Sequence, residues 1–139
     1  MKLLRNKLVA LVLLMLASPL WAGSVIMNPA DAGAGLTEGQ AKKVYLGKSK
    51  KLPSGAKALP VDLAGGSPVR DQFLNTVVGK SESQYKSFWA KRVFTGKGSA
   101  PAEKASDAEV KAFVSSTPGA VGYIDSGSLD GTVVEAFSF

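Results

Sequence analysis

Asp62, Arg70 and Asp71 lie close together in the chain, and Asp62 sits near the end of an apolar run, where α/β sheets place their ligand contacts. As residue types they read as a solvated Asp-Arg pair that ties a loop to the helix behind it. Two carboxylates do not make an acid-base pair until a suitable separation or a raised pKa is shown. The sequence has no histidine and no cysteine. That removes Ser-His and Cys-His nucleophilic machinery, thiolate chemistry and the usual zinc and copper sites. A Ser-Lys dyad built on Ser67 would need a lysine held beside it, and the spacing supplies none. The chain is therefore read as non-enzymatic, with no cofactor and no metal.

Lys42, Lys43, Lys48, Lys50, Lys51 and Lys57 form the main charge cluster. Two readings stand: a solvated helix end and turn, where lysines complement the carboxyl end of the helix dipole, or a positive rim that attracts anions or anionic headgroups. Gly96-Lys97-Gly98-Ser99 is not a phosphate loop, because its lysine is followed by glycine and a helix precedes it where a strand is required. Tyr85, Phe88 and Trp89 recur at helical spacing, which assigns them to core packing rather than to an aromatic binding stripe. Asp125, Asp130 and Glu135 lack the spacing of a calcium loop and read as turn residues.

The elements that must position these residues follow from pattern and punctuation. Ser24 to Met27 is a short apolar strand, and Ala30 to Gly35 is a small-residue loop. Thr37 and Gln40 form a capping box, Leu36 staples back over Ala41, and Ala41, Val44 and Tyr45 share one helical face until Gly47 stops it. Ala58 to Leu63 is a buried strand running into Ala64-Gly65-Gly66. Ser67-Pro68 opens a second helix, since the serine oxygen accepts a free N–H and proline suits the first helical position. Val69, Phe73 and Val77 line it, and Gly79 ends it. A third helix opens at Ser81 with Gln84 as box partner and buries Tyr85, Phe88, Trp89 and Val93, with Lys86, Lys91 and Arg92 facing water. A fourth opens at Ser106 with Glu109 and carries Val110, Phe113 and Val114 to Pro118-Gly119. Ala120 to Ile124 and Thr132 to Phe137 close the fold as strands. Strands interleaved with helices predict an α/β sandwich with helices covering a sheet.

The first residues carry an address. Lys2, Arg5 and Lys7 precede the apolar run Leu8 to Ala17 and the small-residue boundary at Ala22. A positive start and an apolar stretch short of the ~20 residues that span a bilayer predict a secretory signal peptide over 1–22, export to the periplasm, and a single domain over 23–139. The formal net charge is +6, and half of it lies in that leader. The remainder is too weak and dispersed to argue for nucleic acid. Without cysteines, stability must come from packing alone.

Four blocks, taken in order, resemble a known family: Val25 to Pro29 (VIMNP), Leu36 to Gly47 (LTEGQAKKVYLG) with Lys48 behind it, Ala64 to Phe73 (AGGSPVRDQF) and Gly119 to Asp125 (GAVGYID). They are similar to the phosphate-binding proteins of ABC phosphate importers, within the periplasmic-binding-protein superfamily. Members of that family are clamshells of two α/β lobes closing on a tetrahedral oxyanion. The blocks here match the second lobe only. The resemblance implies one small αβα sandwich lobe of the type II periplasmic-binding-protein fold, with about four helices around a short mixed sheet.

The family's second lobe holds phosphate with a glycine-serine-glycine-threonine turn that opens a helix, preceded by an arginine. Backbone N–H groups at a helix start point at the anion, the dipole favours it, and hydroxyls add donors. The matching stretch is Gly66-Ser67-Pro68-Val69, in which proline replaces glycine, valine replaces threonine, and the arginine's place falls on Leu63. The resemblance thus implies a weak phosphate site made by Gly65, Gly66, Ser67, Val69, Arg70 and Asp71, with Arg70 supplying charge from one turn into the helix. It also implies a phosphate or other small oxyanion as ligand, an inner-membrane transporter or sensor as partner, and a homodimer as a way to rebuild a clamshell. The alternative is a lobe that has lost its ligand and docks as an accessory subunit on an inner-membrane sensor, transporter or porin.

Overall fold

The computed structural model describes residues 22–139. The expected signal peptide therefore lies outside the described residues, apart from Ala22. Nine regular elements follow: β1 (Gly23–Met27), α1 (Glu38–Tyr45), β2 (Leu59–Leu63), α2 (Pro68–Phe73), α3 (Glu82–Phe94), β3 (Ala102–Lys104), α4 (Asp107–Ser116), β4 (Ala120–Asp125) and β5 (Val134–Ser138). The strands form one mixed sheet in the order β3-β2-β4-β1-β5. β2 runs parallel to β3 and β4, while β1 is antiparallel to both β4 and β5.

Residue alternation along β4 explains how two helical layers cover this sheet. Gly122 faces α4 so closely that a methyl group there would lie 2.5 Å from Val110 Cγ1. Tyr123 points the other way and stacks on Phe73 of α2 with ring centroids 4.0 Å apart. On that second face Tyr45 of α1 donates its hydroxyl to Val61 O at 2.8 Å, and Trp89 of α3 donates its indole N–H to Tyr45 O at 3.1 Å. The result is an αβα sandwich, as expected. Because β4 is sandwiched, Ala120 to Ile124 are fully buried, as a central strand covered on both faces requires.

Local chemistry sets the helix starts. Thr37 with Gln40 and Ser81 with Gln84 form complete capping boxes, each serine or threonine oxygen accepting the N3 amide while the glutamine returns to the cap N–H. Ser106 Oγ accepts the Glu109 N–H, and the Glu109 carboxylate instead accepts from the N–H of Ala105. Gly119, with φ of +86°, makes the turn between α4 and β4, where a methyl group would meet the Lys57 carbonyl oxygen. The chain after Phe73 departs from the expected plain helix: Leu74–Val78 winds as a single π-helical turn before Gly79 ends it in a left-handed conformation. α3 also departs, since Tyr85 and Trp89 are buried and Phe88 half-buried, but Val93 is 52% exposed and Phe94 92% exposed.

Candidate functional site

β2 carries the chain to Leu63, and Ala64–Gly66 turns it into α2. Gly66 takes a φ of +91°, a conformation that an L side chain resists. Ser67 then caps α2, its Oγ accepting the Arg70 N–H at 3.3 Å, and Pro68 occupies the first helical position. Asp71 N–H returns to Ser67 O. Among the described residues, the N–H groups of Gly65, Gly66 and Ser67 carry no hydrogen bond, and Val69 at the second helical position has no intrahelical acceptor. Gly65, Gly66 and Asp71 are exposed, Ser67 is half-buried, and Val69 packs into the core.

Arg70 corrects two expectations. Its backbone N–H is spent on the Ser67 cap, and its guanidinium turns inward rather than toward the turn, leaving the residue 2% exposed. Nε donates to Glu82 Oε2 at 2.8 Å, and Nη1 donates to Leu63 O at 2.7 Å and to Glu103 Oε1 at 3.3 Å. Burial by itself would lower its pKa, but the bond to Glu82 and the charge of Asp62 raise it above its ordinary value. The same bond holds Glu82 below the usual carboxylate range. The guanidinium thus docks on the carbonyl of Leu63, the position at which the family pattern has its arginine, and knits β2, β3 and α3 together.

Asp62 is likewise not part of a solvated pair. It is 2% exposed, and its two oxygens accept the hydroxyls of Tyr85 at 2.8 Å and Tyr123 at 2.9 Å. Burial raises its pKa to about 6, against the lowering effects of both tyrosines and of Arg70. Both tyrosines are pushed well above their ordinary values, by burial and then by the negative charge of Asp62. Asp71 stays outside this network. Glu82, Glu103, Tyr85 and Tyr123 were not legible as site residues, because they come from α3, β3 and β4 and only the tertiary fold brings them to the end of β2. Tyr123 alone had a signal, as the aromatic residue of the GAVGYID block.

The turn at Gly65–Val69 can therefore act on an anion with backbone and hydroxyl donors alone. The Ser67 oxygen accepts one bond as a cap and keeps its O–H free to donate, so capping and ligand contact are compatible. The field around the turn is less favourable. Asp71 is exposed in the first turn of α2, and Glu82 Oε1 would sit 3.5 Å from a methyl group on Gly65. No cluster of three or more potential metal ligands occurs among the described residues, and none of their helices is long and apolar enough to cross a membrane.

No family profile and no curated protein matches the sequence. Solved structures do match the fold. An ABC-type phosphate transport receptor from Vibrio cholerae superposes over 83% of this chain and 45% of its own, with a TM-score of 0.63 and 20% identity. A Clostridium perfringens protein, assigned as a phosphate ABC transporter substrate-binding protein and carrying bound phosphate, matches 84% of this chain and 45% of its own, with a TM-score of 0.65 and 20% identity. PstS from Borrelia burgdorferi matches 77% and 42%, with a TM-score of 0.55 and 17% identity. This chain has the fold of one part of those structures. It spans less than half the length of the receptors it matches. The receptor fold here is the mixed sheet with helices on both faces described above, and its β2–α2 turn is the place where the sequence resemblance puts the anion.

Proposed function

We propose that residues 23–139 form a non-enzymatic, substrate-binding-like domain of the periplasm. It corresponds to the second lobe of a phosphate importer's binding protein and takes phosphate or a similar small oxyanion at the turn Gly65–Val69. The observation that carries this reading is the set of donors without partners at one turn: the N–H groups of Gly65, Gly66 and Ser67, and the hydroxyl proton of Ser67. Affinity is weak, because an anion there stays partly in water, Asp71 and Glu82 stand near, and Arg70 contributes no direct contact. Millimolar binding corresponds to only about 4 kcal/mol, the yield of a few solvent-competed hydrogen bonds. Thermal melting against phosphate, sulfate and small carboxylates tests it, since a ligand at 100 times its dissociation constant adds about 2.7 kcal/mol. No shift for any oxyanion at high millimolar concentration would refute it. Residues 1–22 act as the leader in this account, and mass spectrometry of the exported chain should find Gly23 at its amino end; an intact leader in the membrane fraction would contradict export of a free domain.

A second reading has its own observation. Val93 and Phe94 line an open, mainly apolar pocket of about 490 Å³ along α3 with Tyr85, Trp89 and Pro101, a pocket that Asp62, Arg70, Lys86 and Glu103 also line. Exposed apolar surface of this kind suits protein contact, so the domain can instead serve as an accessory subunit docking on an inner-membrane sensor, transporter or porin. A Phe94→Asp variant that loses a membrane-protein partner, in a domain whose wild type shows no phosphate response, would support this reading over the first.

A further inference from the structure

The β3 side of the sheet carries a second cleft that shares no residue with the Gly65–Val69 turn. β3 pairs only with Val61, Asp62 and Leu63, so Leu59 and Pro60 have no neighbouring strand on that side. A cleft of about 500 Å³ opens there, between the segment that follows α1 and the loop that precedes β3. Val44, Leu59, Val61, Trp89 and Phe113 give it apolar walls. Lys50, Lys57 and Lys97 border it, and no acidic residue does. Among the described residues, none of these three lysines forms an ion pair. The Trp89 wall is held in place by its N–H bond to Tyr45 O and by the Arg92 guanidinium, 5.7 Å from the ring centre.

We propose that this cleft binds a small amphipathic anion, with an alkyl or aryl body of roughly ten carbons and a carboxylate or phosphate head, a size suited to such a pocket. The walls and the charges each select half of that chemistry. Burying a hydrocarbon body against Trp89 and Phe113 supplies the main attraction, about 25 cal/mol for each Å² removed from water. Three exposed ammonium groups add a modest, salt-sensitive preference for an anionic head. A partner strand is the wrong occupant, because Pro60 offers no N–H at the open edge.

Decanoate is a suitable probe, and Trp89 reports on it. Of the chain's two tryptophans, Trp21 lies in the proposed leader, so Trp89 is the sole tryptophan of the exported domain. Decanoate should change Trp89 emission saturably, and the response should weaken as salt is added. The variant Lys50→Gln/Lys57→Gln/Lys97→Gln, which touches only exposed side chains, should weaken binding about tenfold, the sum of three small charge contributions. Decyltrimethylammonium, with the same tail and the opposite charge, should give no saturable response, and neither should inorganic phosphate. An equal response to the cationic and anionic amphiphiles, or an unchanged affinity in the triple variant, would overturn the proposal. So would anionic phospholipid vesicles that sediment the protein while decanoate leaves Trp89 unmoved, since the lysines would then serve a membrane surface.

Discussion

Arg70 Nε and Glu82 Oε2 lie 2.8 Å apart, and this contact decides what the α2 turn can offer a ligand. A buried guanidinium bound by two carboxylates and a carbonyl is already neutralised. Its role is to join strands β2 and β3 to the start of α3, so an anion at the turn must rely on uncharged donors.

Arg70→Ala should consequently act on stability far more than on ligand affinity. Removing one partner of a buried charged pair costs roughly 3 kcal/mol or more, since Glu82 and Leu63 O lose their donor together. Arg70→Lys restores a charge but not the forked geometry, and should recover only part of the loss. Urea denaturation checks both variants. An unchanged midpoint accompanied by loss of the phosphate response would mean that the guanidinium reaches the ligand after all.

Asp62 makes stability depend on pH in the direction opposite to an ordinary ion-paired carboxylate. Its folded pKa, about 6, lies above the value of 3.8 for the unfolded chain. The folded state therefore takes up a proton first as pH falls, and stability from this group rises between about pH 7 and pH 4. Tyr85, Tyr123, Arg70 and Glu103 are the groups that face it, and the two tyrosines and Arg70 keep their charge states across that window. Keeping Asp62 ionised in its buried site costs roughly 3 kcal/mol at neutral pH. Asp62→Asn should flatten this part of the pH profile. A wild-type midpoint that falls steadily from pH 7 to pH 5, with Asp62→Asn following it, would contradict the buried-carboxylate account.

Trp89→Ala should cost about 3–5 kcal/mol, because the indole is 6% exposed and its loss leaves both a cavity and an unpaired Tyr45 carbonyl. Val93→Ala, one turn further along, should change stability by only a few tenths of a kcal/mol. Melting of the two variants side by side measures where α3 leaves the core.

The helix starts were legible in the sequence because their causes are local. Thr37 with Gln40, Ser67 with Pro68 and Ser81 with Gln84 each fix a boundary within one turn of chain, and four of the five strands carry apolar runs. β3 was not legible: Ala102-Glu103-Lys104 has neither alternation nor β-branching and is a strand only because β2 lies beside it. The π-helical turn at Leu74–Val78 and the outward drift of Val93 and Phe94 likewise depend on where neighbouring layers end. The Asp62–Arg70 network was hidden for the same reason. Sequence placed these residues near each other on a loop, whereas the fold buries them among Tyr85, Glu82, Glu103 and Tyr123 from three other elements.

Ser67 caps α2 and, in the proposed site, also donates to the anion, and the two roles separate in one variant. Ser67→Ala removes the cap, costing about 1 kcal/mol, and removes a donor to the anion. Ser67→Asp keeps an acceptor for the Arg70 N–H but places a carboxylate at the anion's position. It should match the wild type in stability and abolish the phosphate response. Equal loss of binding and stability in both variants would mean that the anion is held elsewhere.

Amide chemical shifts during a phosphate titration of the full exported chain test the central claim most directly. The account predicts that the backbone N–H signals of Gly65, Gly66, Ser67 and Val69 move together and saturate in the millimolar range, while those of the Lys50, Lys57 and Lys97 cleft stay in place. If the Gly65–Val69 amides remain still at high millimolar phosphate, the receptor fold has been kept without its ligand, and the oxyanion-binding reading is wrong.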